Sequence, residues 1–575
     1  MATALRRTFA EGYRLSDLRV DALAGLVVGI VALPLSMALA IAVGAAPQHG
    51  LYTAIFAGAL VAIFGGCRFQ VTGPTAAFVV ILAPIVTKYG LSGLLTAGFM
   101  AGLILIAMGA ARLGRLIQYI PHPVTTGFTT GIATVIATLQ IKDALGLQVG
   151  SMPEHFTDKV AAMWSARSTI QPAEIGVAGT TLALLLLIPR WTKKIPAPLL
   201  AISFVAAAVA LAQVVFPWLH VATIGTRFHT VVDGVEVTGI PPVLPVPAFP
   251  WRGDLSFGLM RELFPAAFAI ALLGAIESLL SGVIADGMTG TRHDPDAELV
   301  GLGIGNIVAP FFGGIAATGA LARTATNVRA GARSPFASVI HAVVVLVSMV
   351  ALARLVAFVP MASLAALLLL VAWNMSEVRS FVRVVRVAPK SDVFVLLVCY
   401  GLTVLFDMVV AVTLGVLTAA ILFMRRMAEM TQSRALLDSY AEESGVRLPK
   451  GVALYEIHGP LFFGAAQNAM GAMHAIRGDT FAVMILNLGK VSVIDSTGLV
   501  ALENAIARLV GVHKHVVLAG PLPEPSTIWS KANLRERYKG VHVAPTLEAA
   551  MALAEEIAGG PPSSSASRTL AAEAP

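Results

Sequence analysis

Hydrophobic residues in this chain are gathered into blocks, and from Asp21 to Met424 one block follows another with only short polar breaks. The blocks run roughly 15 to 25 residues, the length with which an α-helix crosses about 30 Å of hydrocarbon. "DALAGLVVGIVALPLSMALAIAVG" from Asp21 and "ELFPAAFAIALLGAIESLLSGVIA" from Glu262 are two of them. About fourteen such segments precede Arg425, two of them too short or too glycine-rich to span alone. The polar, basic residues 1–20 end at an apolar run that is too long for a signal peptide and has no small-residue cleavage site, so that run reads as the first span.

An even number of spans puts both termini on one side. Arg112 and Arg115, Arg190, Lys193 and Lys194, Arg329 and Arg333, Arg379 to Lys390, and Arg425 with Arg426 occupy alternate loops. That positive-inside pattern predicts cytoplasmic N- and C-termini in a cell (inner) membrane. After Arg426 the pattern changes. Residues 427–450 read as a polar linker. Residues 451–559 read as a small α/β domain, with "VALYEIHGPLFF" and "FAVMILNLG" as buried strands and "LVALENAIARLV" and "TLEAAMALAEEIA" as amphipathic helices. The tail 560–575 is low-complexity and expected to be disordered.

The membrane part repeats itself. "VTGPTAA" at Val71 and "ATGALAR" at Ala317 share Thr-Gly, and "ARLGRLIQYIPHPVTTGF" parallels "ALARLVAFVPMASLAALL" with Pro121 on Pro360. Thr72 to Thr318 is 246 positions and Pro121 to Pro360 is 239, so the offset is nearly constant. Two copies of about 21–216 and 262–426, with seven segments each, must be inverted across the membrane. The expected fold is a polytopic all-α membrane protein, a 7+7 inverted repeat over 21–426, followed by the α/β domain.

Composition agrees: of 575 residues, 57% are hydrophobic and 13% charged, and the mean hydropathy is +0.81, against about 25% charged in soluble chains. The net charge of +7 sits in the loops and does not point to nucleic acid. Cys67 and Cys399 lie at or inside apolar segments and offer neither a disulfide framework nor metal spacing. No nucleophile–base set, metal cluster or phosphate-binding glycine loop stands out, so no enzyme and no cofactor is expected.

The Thr-Gly stretches read as an anion site, the alternative being that their small residues only let helices pack closely. Each Thr-Gly stretch reads as a few extended residues before a half-helix, and two facing helix N-termini present open N–H groups and positive dipole ends. Arg323, in "ATGALARTATN", adds a guanidinium where a charge costs about 2.5 to 3.5 kcal/mol. Glu277 is the only carboxylate between Glu262 and Asp286, deep in a span, which makes it the candidate proton carrier. Ser281 shares its helical face and is expected to bond that carboxyl or line the cavity. A fixed Glu277–Arg323 pair is the bland alternative. His122 and His341 are read as packed or interfacial, Asp407 as a helix cap or turn, and "DGMTGTRHDPDAE" from Asp286 as a solvated cytoplasmic connection.

With "APQHGLYTAIFAG", "VTGPTAAFVV", "AIESLLS", the long stretch from Asp286 to Gly331 and "LLLVAWNMSE" in order, the chain resembles the SulP (sulfate permease) family over nearly its whole length. "VIDSTGL" in the C-terminal part resembles a STAS domain. The resemblance implies a uracil-permease-like fold in which a core domain slides against a gate domain. It puts the substrate at Thr72, Gly73, Pro74 and Thr75 and at Leu321, Ala322, Arg323 and Thr324, with Arg323 at the family's basic position. It implies proton coupling through Glu277, because sodium-coupled bicarbonate carriers have an aspartate there. It also implies a homodimer and a regulatory or dimer-supporting STAS domain open to a cytoplasmic protein partner, in which Asp495, Ser496 and Thr497 are either a regulatory loop whose hydroxyl is phosphorylated or simply the cap of the following helix. Leu35 stands where many members have glutamine after the proline. With the wording of the 286–331 stretch, that points toward proton-driven uptake of C4-dicarboxylates such as succinate, fumarate and aspartate. Sulfate or bicarbonate transport, or an anion sensor or channel signalling through the STAS domain, are the alternatives.

Overall fold

The computed structural model describes residues 2–559 apart from 116–120, 151, 154, 193–194, 233–234, 252–255, 407, 431, 437–447, 463–465, 467–468, 471–480 and 521. The readings of Lys193, Lys194, Asp407, much of the linker and the tail from 560 therefore lie outside the described residues.

The chain divides into two compact units, residues 1–417 and 418–575. The first begins with a short helix α1 (Thr3–Ala10), then α2 (Leu15–Val43) and α3 (Pro47–Phe64), the two-residue strand β1 (Thr72–Gly73) and the long α4 (Ala76–Ala110). Next come α5 (His122–Ala144), α6 (Phe156–Ser165), α7 (Pro172–Trp191) and α8 (Ala197–Val215). A one-turn α9 (Ile224–Arg227) and a hairpin of β2 (His229–Val232) and β3 (Val235–Thr238) lead to the second half. That half comprises α10 (Phe257–Thr289), α11 (Pro295–Val308), β4 (Thr318–Gly319), α12 (Leu321–Arg329), α13 (Phe336–Val356), α14 (Met361–Met375), α15 (Val378–Val387) and α16 (Lys390–Leu405), and the division between the units falls within the last apolar helix, α17 (Met408–Met430).

Nine helical stretches among the described residues are long and apolar enough to cross a membrane. α4 counts as two segments, because Gly90 at φ +68° breaks it. With α11, α12, α16 and α17 the described residues then hold fourteen segments, the number read from the sequence. The first span starts at Leu15 rather than Asp21, because Asp17 caps it by accepting from the Arg14 N–H at 2.9 Å. The parallel between the halves is visible at Pro121 and Pro360, which are the N-cap residues of α5 and α14 with nearly the same backbone angles.

The helices form two packing groups. α2, α3, α4, α10, α11, α12 and α13 pack on one another, and α5, α7, α8, α14, α15 and α16 do the same, with α2 on α14 and α4 on α5 joining the groups. The first group is held by close helix approaches. A Cβ on Gly102 would lie 2.7 Å from the Gly303 carbonyl, and one on Gly301 in α11 2.6 Å from the Gly65 Cα at the end of α3. α1 lies on this same group: the Ala2 N–H donates to the Phe64 carbonyl at 2.9 Å, and the Arg68 guanidinium pairs with Glu11, whose carboxyl it holds below the ordinary range.

In the second unit five strands run in the order β5 (Gln432–Leu436), β6 (Val452–His458), β7 (Val483–Lys490), β8 (His515–Ala519), β9 (Val541–Ala544). β6 to β9 are parallel and β5 is antiparallel at the edge. Helices Ser496–Gly511 and Leu547–Ile557 fall where the amphipathic runs were read. Apolar clusters cover both faces of the sheet, which is why its strands read as continuous hydrophobic runs.

Candidate functional site

The two Thr-Gly stretches meet. β1 and β4 pair antiparallel, Thr72 opposite Gly319 and Gly73 opposite Thr318, and the Ala320 N–H donates to the Val71 carbonyl at 2.8 Å. Each threonine of one repeat thus faces the glycine of the other, the reciprocal pairing that a two-fold relation between inverted copies produces. Both glycines leave room for a polar side chain: a Cβ on Gly73 would lie 2.6 Å from Arg323 Nη1, and one on Gly319 2.5 Å from Gln70 Nε2, so either would push that side chain aside. Beyond the strands the chain turns at Thr75 into α4 and at Ala320 into α12, and neither residue caps its helix with a side chain. The first-turn N–H groups are left facing whatever lies between the two helix starts.

Arg323 reaches back across this crossing. It is 2% exposed, its Nη2 donates to the Pro74 carbonyl, and its Nε and Nη1 have no partner. Glu277, half-buried in α10, accepts a hydrogen bond from the Thr75 hydroxyl at 2.9 Å. Among the described residues no ion pair joins Glu277 to Arg323, so the fixed-pair alternative is absent. The structure therefore gathers Thr72, Gly73, Pro74, Thr75, Glu277 and Arg323. Thr324 and Ser281 lie behind them: Ser281 donates to Thr324 Oγ1 at 3.1 Å rather than to Glu277, and Thr324 Oγ1 accepts the Val71 N–H at 3.1 Å. Leu321 and Ala322 are exposed.

Several polar residues that hold the crossing escaped the sequence reading. Glu298 belongs to the stretch read as a solvated connection, yet it is 1% exposed. Its Oε2 accepts the N–H groups of Gly66 and Cys67 at 2.8 and 2.9 Å, and its Oε1 accepts Gln70 Nε2 at 2.6 Å and Ser278 at 3.4 Å. Asp286 likewise meets His293 Nδ1 at 2.6 Å. The missed signal is that Asp294 caps α11 with Pro295 at its first position, so Glu298 is one turn inside an apolar helix rather than in a loop. Asn306, two turns on, bonds both backbone groups of Ala317 at 2.8 and 2.9 Å and thereby fixes the approach to β4. His341, read as packed, is fully buried beside Gly58, with both ring nitrogens unpartnered.

In the second unit Asp495 accepts the Gly498 N–H at 2.7 Å and so caps the helix Ser496–Gly511, while Ser496 and Thr497 are exposed at its start.

Inverted repeats whose broken segments meet around a buried arginine define a membrane transporter with crossed half-helices. Residues 18–399 match the sulfate permease family and 445–550 the STAS domain. The chain belongs to the sulfate permease family. It is 40% identical to a putative sulfate transporter, YvdB, of Bacillus subtilis over 92% of this chain and 97% of that one. It is 29% identical to the bicarbonate transporter BicA of a Picosynechococcus strain over 91% of this chain and 92% of that one. The murine solute carrier 26 family member A9 anion transporter, solved in an inward-facing state, has the same fold, with a TM-score of 0.83 at 18% identity over 96% of this chain and 94% of that one.

Proposed function

We propose that the protein is a secondary active transporter of a small oxyanion of the bicarbonate or sulfate class, coupled to protons through Glu277. The observation that carries this reading is Arg323: a guanidinium 2% exposed, with two nitrogens unpartnered, in the first turn of α12 and reaching the Pro74 carbonyl ahead of α4. A buried cation without a counter-charge is costly, so the arrangement favours an anion as its partner. The names of the relatives support the inorganic class over the dicarboxylates. The thirty-fifth residue supports the dicarboxylates as a second reading, since half-buried Leu35 offers no amide to an inorganic oxyanion.

Coupling follows from the Thr75 contact. An ionised Glu277 accepts the Thr75 hydrogen bond, whereas a protonated one has a hydrogen of its own to place, so proton binding changes the turn that leads into the half-helix. Thr72, Gly73, Pro74, Thr75 and Arg323 would meet the anion, with Leu321 and Ala322 at the rim and Thr324 and Ser281 as supports. We place the protein in the cell membrane with both termini cytoplasmic, as a homodimer, and give the exposed Ser496 and Thr497 a regulatory role read by a cytoplasmic partner.

The deciding experiment is uptake into proteoliposomes of the purified protein under an inward proton gradient, with labelled bicarbonate, sulfate and succinate in separate arms. Gradient-driven accumulation of either inorganic anion, not displaced by succinate, is the expected result. Accumulation of succinate alone would reverse the substrate assignment, and equal flux with and without the gradient would remove proton coupling.

A further inference from the structure

The chain leaves α14 at Met375 and enters α16 at Lys390, and the ten residues of α15 between them have no buried side chain. Two sharp features isolate the helix: Glu377 before it is left-handed at φ +43°, and Pro389 follows it. Its sequence "VRSFVRVVRV" separates into three stripes. Phe381 and Val384 are half-buried, and the Phe381 ring packs on Tyr400 at 5.6 Å. Val378, Val382 and Val385, at i, i+4 and i+7, are 43%, 37% and 42% exposed. Arg379, Arg383 and Arg386 form the next stripe with the same spacing, all exposed, and among the described residues none of them makes an ion pair or hydrogen bond. Trp373, 70% exposed near the end of α14, stands next to this segment, where interfacial aromatics gather.

We propose that α15 is a binding site for anionic phospholipids of the leaflet it faces. Val378, Val382 and Val385 enter the acyl region, and Arg379, Arg383 and Arg386 lie on the headgroup phosphates. Both neighbours of α15 are membrane segments of the same bundle, so the chain itself holds the helix at the bilayer surface. An exposed apolar stripe flanked by a purely cationic one is the pattern of helices that lie in that surface. The three guanidiniums span about 10 Å along the helix, which suits a surface of phosphates better than a single free phosphate. Because α15 packs on α5 and α16, such lipids would anchor the second helix group.

The test uses the full chain reconstituted in vesicles of phosphatidylglycerol and phosphatidylcholine, extracted gently and assayed by mass spectrometry for retained lipid. The native protein should retain phosphatidylglycerol several-fold over phosphatidylcholine. R379Q/R383Q/R386Q should lose that preference, and R379K/R383K/R386K should keep most of it, since each cation contributes about five-fold to partitioning on an anionic surface. A second measurement does not depend on the triple variant: a spin label at V382C, read by collision with a lipid-soluble relaxant, should be more accessible in phosphatidylglycerol vesicles than in phosphatidylcholine alone. Equal lipid retention by native and glutamine variants would overturn the proposal. So would a label that contacts the C-terminal domain instead of lipid.

Discussion

Glu277 and Arg323 hold adjacent residues of one turn: Arg323 donates to the Pro74 carbonyl, and Glu277 accepts from the Thr75 hydroxyl at 2.9 Å. The acid and the cation come from the second repeat and the turn from the first, so both charges act on the half-helix of the other repeat.

Replacing Arg323 with alanine should weaken anion binding by about 10- to 150-fold, the effect of losing a charge-assisted contact of about 1.5 to 3 kcal/mol. Equilibrium binding to the purified protein reads this, and R323K should fall between the two. Unchanged affinity in R323A would take the arginine out of the site.

Glu277→Gln should abolish accumulation driven by a proton gradient while leaving anion binding and anion–anion exchange measurable. The amide keeps an acceptor for the Thr75 hydroxyl but cannot gain or lose a proton. Accumulation at the native level in E277Q would assign coupling elsewhere.

Gly73→Ala tests the crossing itself. Its new Cβ would meet Arg323 Nη1 at 2.6 Å, so the guanidinium must shift. Overpacking of this kind costs about 1 to 3 kcal/mol. Binding should weaken more than thermal stability falls if Nη1, the atom displaced, meets the anion as proposed.

Glu298→Gln should lower stability by about 1 to 3 kcal/mol, since one of its oxygens becomes an N–H donor among the four donors that Glu298 now accepts. Thermal unfolding in detergent measures it. A variant as stable as the native protein would show that Gly66, Cys67 and Gln70 find other acceptors.

In the C-terminal unit Asp495→Ala should cost about 0.5 to 2 kcal/mol through loss of its cap, whereas Ser496→Ala and Thr497→Ala should leave stability unchanged because both side chains are exposed. Differential scanning of the full chain separates these outcomes.

The spans, the repeat and the meeting of the Thr-Gly stretches were legible because hydrophobic length and internal similarity are carried by the chain itself. Arg323 and Glu277 were legible for a related reason: a charge inside a block of apolar residues is conspicuous. Glu298 was not, because it sits beside other polar residues at a helix start, and its burial depends on Gly66 and Cys67, more than 200 positions away. Helical spacing puts Ser281 on the face of Glu277 but does not decide between two acceptors, and Thr324 is the one it bonds. α15 shows in the sequence only as loop charge, since its separation from α14 and α16 follows from the turns at Glu377 and Pro389.

Arg323, Glu277 and both half-helix starts belong to one packing group, and this has an electrical consequence. If that group carries the cargo across, the form with a protonated Glu277, a charged Arg323 and a monovalent anion is electroneutral, and so is the empty form with an ionised Glu277. The two mixed forms, anion without proton and proton without anion, each drag one net charge through hydrocarbon, where a charge costs about 2.5 kcal/mol or more. Strict pairing of one proton with one anion would then need no latch or sensor, only two opposite charges fixed to the same moving body.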